Sequence, residues 1–276
     1  MKYVCVKFKW SRELNLSDII LAMFSDSNID MFEEGEQELR AFIKEDQYSK
    51  NEIIHTLSSS EILKDVNFTT EIIEHQNWNA MWESNYESIL IKDEVYIRAP
   101  FHQSKPNVKH ELLIQPKMSF GTGHHDTTKL MIEYLLELNI SNKQVLDMGT
   151  GTGVLALLAE KLGAKHVLAI DNDKNCIVNS VENCLNNNSS KVSVLEGDID
   201  NLGLVEYDLI LANINKNVIL NYLKRFSKSL KQNAILVISG FYEPDLVDIE
   251  KEANRSNLKL ENYKKSNTWC SALFKK

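Results

Sequence analysis

The residues best suited to chemistry in this 276-residue chain form a glycine-rich segment, Val145-Leu146-Asp147-Met148-Gly149-Thr150-Gly151-Thr152-Gly153. An apolar stretch leads into three alternate glycines, and another apolar run follows them. Glycine permits a sharp backbone turn and leaves no Cβ to obstruct a ligand. A loop that joins a strand to a helix lies at the carboxyl edge of a parallel sheet, where such folds bind ligands. Gly149, Gly151 and Gly153 are therefore candidate ligand-binding residues.

An acidic residue, Asp171, closes the next predicted strand, His166-Val167-Leu168-Ala169-Ile170. A carboxylate at this position can accept hydrogen bonds from both hydroxyls of a ribose. The glycine loop and Asp171 together predict a nucleoside-binding site.

Two kinds of nucleoside ligand fit this pattern. The run Gly151-x-Gly153-x-x-Ala156, with Asp171 twenty residues beyond Gly151, satisfies the dinucleotide fingerprint, and an NAD(P)-dependent oxidoreductase is one interpretation. Asp147, two residues before the first glycine, favours the other interpretation. A carboxylate there suits the cationic ammonium and sulfonium of S-adenosyl-L-methionine and would repel a pyrophosphate. The spacing of the glycines and Asp171 alone does not decide between these two ligands.

Two further candidates follow later strands. Asp198, in Glu196-Gly197-Asp198, could accept a hydrogen bond from an adenine amino group or could cap a helix. Asn213 ends the strand Tyr207-Asp208-Leu209-Ile210-Leu211-Ala212 and lies where a bound methyl donor would present its methyl group. Its amide carbonyl could accept an N–H of an acceptor amine, which makes Asn213 the candidate catalytic residue. A turn-forming asparagine is the alternative.

An upstream loop, Phe120-Gly121-Thr122-Gly123-His124-His125-Asp126-Thr127-Thr128, precedes a predicted helix whose N-cap is expected at Asp126 or Thr127. We expect this loop to fold over the ligand, with a threonine hydroxyl donating to the ligand's carboxylate. The paired histidines have no third ligand at a suitable spacing, so no metal site is predicted.

The elements that must position these residues alternate between strands and helices, which predicts an α/β fold with a doubly wound, mostly parallel sheet. The predicted strands cover residues 95–98, 144–148, 166–170, 192–195, 208–212 and 235–239, and the predicted helices cover 127–138, 154–162, 174–185 and 218–230.

The first part of the chain has a different pattern, β-α-β-β-α-β, which predicts a small ferredoxin-like α+β domain over residues 1–74. Trp78, Trp82 and Tyr86 recur every fourth residue, so residues 75–88 are predicted to form a linker helix with an aromatic stripe. Residues 89–276 would then form the ligand-binding domain.

Composition narrows the functional classes. The net charge of −8 argues against a broad phosphate-binding surface, so no direct DNA binding is expected. No apolar stretch is long enough to span a membrane, and the first residues alternate as a strand would rather than as a signal peptide. The four cysteines form no C-x-x-C pair, so a cytoplasmic location is expected.

Several motifs together resemble one family. They are Asn77-Trp78, Trp82, the loop over 120–128, the glycine segment, Asp171-Asn172-Asp173, Ala212-Asn213-Ile214 and Trp269-Cys270. The combination resembles PrmA, the family of bacterial methyltransferases of ribosomal protein L-eleven (L11). The resemblance covers nearly the whole chain beyond residue 75, and the loop over 120–128 is its most specific part.

The resemblance implies a class I methyltransferase fold, S-adenosyl-L-methionine as the cofactor, and ribosomal protein L11, free or on the large subunit, as the partner. The acceptors would be amino groups: lysine side chains, with the N-terminal amine as a further candidate. The N-terminal domain would recognise the protein substrate. Matching motifs place the donor-binding positions at Thr128, Gly149, Asp171 and Asn213.

Overall fold

The computed structural model describes residues 2–10, 16–24, 27–35, 38–73, 83–117, 119–203 and 205–276. The chain divides into two compact units between Tyr86 and Glu87. Most of the predicted linker helix, including Trp78 and Trp82, lies outside the described residues. Residues 83–85 are helical.

In its described residues, the first unit consists of a four-stranded antiparallel sheet and two α-helices. Its strands are β1 (Tyr3–Lys9), β2 (Ile29–Gly35), β3 (Glu38–Lys44) and β4 (Asn67–Ile73), and its helices are α1 (Ser17–Met23) and α2 (Lys50–Ser58). The sheet order is β2-β3-β1-β4, with every neighbouring pair antiparallel. This β-α-β-β-α-β arrangement, with the first and third strands in the centre, is the predicted ferredoxin-like fold.

Alternation along β1 explains the core of this unit. Val4, Val6 and Phe8 are almost fully buried and pack in one cluster with Ile20 of α1 and Ile53 of α2. Because successive residues of a strand point to opposite faces, one face of the sheet supplies the apolar surface that both helices cover.

The described residues of the second unit form ten strands and five α-helices. Its strands are β5 (Ile89–Ile91), β6 (Val95–Arg98), β7 (His110–Leu113), β8 (Gln144–Met148), β9 (His166–Asp171), β10 (Val192–Glu196), β11 (Tyr207–Asn213), β12 (Leu230–Tyr242), β13 (Lys259–Ser266) and β14 (Trp269–Lys275). Its helices are α3 (Asp126–Glu137), α4 (Val154–Lys161), α5 (Lys174–Asn186), α6 (Lys216–Ser229) and α7 (Leu246–Arg255).

The main sheet has seven strands in the order β10-β9-β8-β11-β12-β14-β13. The five strands from β10 to β12 run parallel, and β14 is antiparallel to both of its neighbours. Strands β5, β6 and β7 form a separate three-stranded sheet. The carboxyl ends of β8, β9, β10 and β11 therefore meet at one edge, where the predicted site residues begin.

Both faces of the main sheet are covered. Leu209 and Leu211 of β11 belong to the apolar cluster that includes α3 and α4, whereas Ile210 and Ala212 belong to the cluster that includes α6 and α7. Burial on both faces explains why these strands read as continuous apolar runs. Within the described residues, none of the helices has the length and apolar character required to cross a membrane.

Candidate active site

The glycine loop connects β8 to α4 through backbone conformations that favour glycine. Gly149, Gly151 and Gly153 have φ angles of 73°, 58° and 82°. A Cβ on Gly149 would lie 2.3 Å from Cγ2 of Ile214, and a Cβ on Gly151 would lie 2.2 Å from the carbonyl oxygen of Phe120. Glycine is therefore required at both positions by conformation and by space.

Asp171, at the end of β9, fixes the middle of this loop. Its Oδ2 accepts a hydrogen bond from the backbone N–H of Gly151 at 2.9 Å, and its Oδ1 accepts one from the backbone N–H of Asp173 at 3.0 Å. A carboxylate can accept about four hydrogen bonds, so these two contacts leave capacity for a ligand.

The upstream loop packs directly on the glycine loop through Thr152. The backbone N–H of Thr152 donates to the carbonyl oxygen of Phe120 at 2.9 Å, and its hydroxyl donates to the carbonyl oxygen of Gly121 at 2.6 Å. Asn183 of α5 donates to the carbonyl oxygen of Thr152 at 2.8 Å. The two loops are thus one hydrogen-bonded structure.

Two cavities adjoin these loops. The larger cavity, of about 430 Å³, is lined by residues at the ends of β8, β9, β10 and β11, with Phe120 and residues of α5 and α6. The smaller cavity, of about 270 Å³, is lined by Phe120, His125, Thr127, Asn213, Ile214, Asn215, Gly240 and Trp269. Phe120, Asn213, Ile214 and Asn215 line both, so the two cavities share a wall.

Asn213 is the polar side chain on this shared wall whose hydrogen bonding is incomplete. Its Nδ2 donates to the hydroxyl of Thr128 at 3.4 Å. Its Oδ1 is buried and has no hydrogen-bond partner among the described residues. A buried acceptor without a partner is costly, so this oxygen is a natural acceptor for a ligand N–H.

Thr128 is fully buried in the first turn of α3 and orients the Asn213 amide. It lines neither cavity. The structure thus shows a positioning contact for Thr128, and its direct contact with the donor remains a prediction.

Asp147 is the residue whose position differs most from expectation. Its side chain is fully buried, lines neither cavity, and accepts a hydrogen bond from the Thr150 hydroxyl at 2.6 Å. Burial raises the pKa of this carboxyl to about 7, although the Thr150 hydroxyl and the Ala156 backbone N–H act in the opposite direction. The structure therefore places Asp147 outside the lining of both cavities, bonded to Thr150 of the glycine loop, and its expected contact with the ligand's ammonium and sulfonium remains a prediction.

Asp198 lines the larger cavity and also caps the short 3₁₀ helix Ile199–Asn201. Its Oδ1 accepts from the backbone N–H of Asp200 at 2.9 Å, and its own N–H donates to Asn201 Oδ1 at 2.8 Å. The capping interpretation is observed, and the adenine contact remains a prediction.

The two histidines of the upstream loop have structural hydrogen bonds. His125, rather than Asp126 or Thr127, is the N-cap of α3, because its Nδ1 accepts from the backbone N–H of Thr127 at 3.3 Å. His124 contacts the Thr122 hydroxyl and the carbonyl oxygen of Glu87, each at 3.0 Å. Across the described part of the chain, no group of three or more His, Cys, Asp and Glu residues could hold a metal ion.

Comparison with known proteins identifies the family to which this arrangement belongs. Residues 16–276 match the family model described as "Ribosomal protein L11 methyltransferase (PrmA)". A ribosomal protein L11 methyltransferase of Porphyromonas gingivalis is 38% identical over 283 residues, covering 99% of this chain and 98% of that protein. One from Bacteroides fragilis is 35% identical over 262 residues, covering 94% of each.

The chain belongs to the PrmA family. Among solved structures, a ribosomal protein L11 methylase from Lactobacillus delbrueckii subsp. bulgaricus has a TM-score of 0.65 at 25% identity, covering 68% of this chain and 98% of that one. A methyltransferase from Pyrococcus furiosus has a TM-score of 0.51 at 20% identity, covering 59% of this chain and 88% of that one, and shows the fold alone.

PrmA membership confirms the predicted class I methyltransferase fold and S-adenosyl-L-methionine as the cofactor. It favours the methyltransferase over the NAD(P)-dependent oxidoreductase. The larger cavity fits this cofactor because Gly149, Gly151, Asp171 and Asn213 line it.

Sequence reasoning did not single out two aromatic side chains of this PrmA site. Phe120 lines both cavities, and Trp269 lines the smaller one. Both occur in the motifs that carry the family resemblance, which is the signal that could have identified them. Gly153, in contrast, lines neither cavity and serves as the N-cap of α4.

Proposed function

We propose that this chain transfers methyl groups from S-adenosyl-L-methionine to amino groups of ribosomal protein L11, namely lysine side chains and the N-terminal amine. The observation that carries the proposal is the shared wall between the two cavities, where the buried Asn213 Oδ1 has no hydrogen-bond partner in the described part of the chain. The larger cavity would hold the donor and the smaller one the acceptor amine. The relatives' names state the same substrate.

Different residues would bind different parts of the cofactor. Asp171 would accept hydrogen bonds from the ribose hydroxyls, because its carboxylate lines the larger cavity and retains accepting capacity. Asp198, on the same cavity, would accept from the adenine amino group. Gly149 and Gly151 would allow the close approach of the amino-acid portion. When bound, the cofactor supplies a methyl group on a positively charged sulfur.

The acceptor nitrogen must be unprotonated to attack. With an ordinary lysine pKa of about 10.4, deprotonation at pH 7 costs roughly 4–5 kcal/mol. A site that excludes water disfavours the ammonium form and lowers this cost. Phe120 and Trp269 make part of the smaller cavity apolar, so entry of the amine would remove it from water.

Asn213 would then aim the nitrogen. Its Oδ1 can accept one N–H of the amine while its Nδ2 is held by Thr128, and this fixes the direction of the single lone pair on the amine nitrogen. An amide is too weak a base to remove the proton, so its contribution is orientation. Orientation of reacting groups can supply several kcal/mol, up to about 7–11 in ideal cases.

Each part of the chain has a role in the proposed function. Residues 1–74 would recognise the protein substrate, residues 75–88 would connect the domains, and residues 89–276 would bind the donor. The described residues of the first unit have an apolar core of their own, which supports an independent recognition role. Since ribosomal proteins are assembled in the cytoplasm, we place the activity there.

Intact-mass measurement of ribosomal proteins tests the substrate. Cells with the gene should show L11 heavier by multiples of a methyl group than cells without it, and peptide mapping should place the methyls on lysine side chains or the N-terminus. Identical L11 masses would refute the proposal. A thermal-shift comparison of S-adenosyl-L-methionine with NAD tests the cofactor separately, because only a ligand of the folded state stabilises it.

A further inference from the structure

The smaller cavity has an aromatic wall made of Phe120, His125 and Trp269. The ring centroids of Phe120 and His125 are 5.2 Å apart with an interplanar angle of 61°, and those of His125 and Trp269 are 4.7 Å apart at 69°. Tyr242 packs against Trp269 with centroids 4.5 Å apart but does not line the cavity. The two edge-to-face contacts, Phe120 with His125 and His125 with Trp269, fix these rings relative to one another.

No charged side chain accompanies these rings among the described residues that line the smaller cavity. His125 is held in this wall through Thr127, because its Nδ1 accepts from the Thr127 backbone N–H at 3.3 Å and contacts the Thr127 hydroxyl at 2.8 Å. The lining therefore offers a cation three rings and the polar residues Thr127, Asn213 and Asn215.

The reaction creates a cation at this place. The nitrogen lone pair forms the new N–C bond, and the S–C bond breaks with its electron pair remaining on sulfur. The positive charge moves from sulfur to nitrogen, and the product is a methylated ammonium that can later release an N–H proton to water. A wall of aromatic rings attracts cations and would stabilise the charge as it develops on nitrogen.

We propose that Phe120, His125 and Trp269 form a cation-binding wall for the methylated nitrogen, and that Trp269 is its specificity-determining residue. This inference rests on the proposed function, since it requires an amine acceptor in the smaller cavity. Aromatic rings attract ammonium groups most strongly when the ring is tryptophan and the cation is desolvated. Trp269 is partly buried and is packed between His125 and Tyr242, which suits it to this role.

The test compares a cation with a neutral molecule of the same shape. A short peptide that carries trimethyl-lysine is titrated calorimetrically into the full-length protein saturated with S-adenosylhomocysteine, and so is the same peptide with the nitrogen replaced by carbon. Unsubstituted protein should bind the cationic peptide about 5- to 30-fold more tightly than the neutral peptide. Trp269→Phe should retain most of this preference, and Trp269→Leu should reduce it to about 2-fold or less.

Two controls separate the outcomes. Tyr263→Leu, which removes an exposed aromatic ring that lines neither cavity, should leave the preference unchanged. Trp269→Leu should still bind S-adenosyl-L-methionine, because Trp269 does not line the larger cavity. Equal affinity of unsubstituted protein for the two peptides would overturn the inference without any variant, as would a preference that survives in Trp269→Leu. Unmethylated L11 in cells, in contrast, would refute the proposed function and not this binding preference.

Discussion

The buried Asp147 carboxyl should make the stability of this fold depend on pH in an unusual direction. Burial raises its pKa from the ordinary 3.8 to about 7. Between these values the folded protein retains a proton that the unfolded chain has released. Because the unfolded state then binds fewer protons, the free energy of unfolding falls as the pH rises from about 4 to about 7. At about 1.4 kcal/mol per pH unit, the total loss is about 4 kcal/mol.

Asp147→Asn removes this titration while it keeps the shape of the side chain and an oxygen for the Thr150 hydroxyl. The new amide introduces N–H groups, and their effect on stability does not depend on pH. We therefore expect the stability of Asp147→Asn relative to unsubstituted protein to increase with pH. Across pH 5–8 the relative gain should be about 3 kcal/mol, most of it below pH 7.

Urea unfolding of the cofactor-free protein, followed by circular dichroism at a series of pH values, measures this difference. Asp208→Asn is the matched control, because the hydrogen bonds from Lys231 and the Gln144 backbone N–H lower the pKa of Asp208. A carboxyl with a lowered pKa contributes stability that is lost only in acid, so this variant should differ from unsubstituted protein by a constant amount over pH 5–8. A constant difference for Asp147→Asn as well would refute the reasoning.

Three further predictions concern the site. Asn213→Ala should lower kcat by roughly 10²–10³ in a methyl-transfer assay, as loss of one oriented polar group does, and an unchanged kcat would exclude its aiming role. Asp171→Ala should weaken S-adenosyl-L-methionine binding by about 1.5–3 kcal/mol in calorimetry, and equal affinity would remove Asp171 from the site. Gly151→Ala should lower the thermal unfolding midpoint, because the new Cβ would lie 2.2 Å from the Phe120 carbonyl oxygen. Gly203→Ala is the control, because a Cβ there would have nothing within 4 Å and should leave the midpoint unchanged. Similar midpoints for the two variants would contradict the prediction.

The central part of the fold could be predicted because its signals are local. Strands buried on both faces appear in the sequence as apolar runs, and the helices between them have a helical periodicity. Most boundaries of the strands β8 to β12 were therefore predicted to within a few residues. The glycine loop and Asp171 follow from this alternation, because a loop after a parallel strand has only one edge at which to lie.

Strands near the beginning and the end of the second unit's sequence could not be predicted in the same way. Strand β13 reads Lys259-Leu260-Glu261-Asn262-Tyr263-Lys264-Lys265-Ser266, and it is the outermost strand of its sheet, with mostly exposed residues. An edge strand with charged residues has no apolar pattern to reveal it. Strand β5 has only three residues, and β7 has four, of which His110 and Glu111 are polar. Strand β6 also has four residues, but its apolar run Val95-Tyr96-Ile97 allowed it to be predicted.

The environment of each site residue was harder to predict than its position, because it depends on contacts between distant segments. Asp147 was expected beside the ligand since it precedes the glycines, but whether a strand-end side chain points into a cavity or under the loop depends on the pleat and on Thr150. His125 caps α3 because its ring is held between Phe120 and Trp269. Neither fact follows from local spacing.

These long-range contacts also bring together family motifs that are far apart in the sequence. The Phe120 carbonyl receives the Thr152 N–H, and its ring contacts His125, which in turn contacts Trp269. One continuous set of contacts therefore joins the glycine loop beside the larger cavity to the aromatic wall of the smaller cavity. Phe120 and Asn213 line both cavities, so a substitution at either residue should alter both. If the two cavities hold donor and acceptor as proposed, the affinities for these two ligands should be coupled.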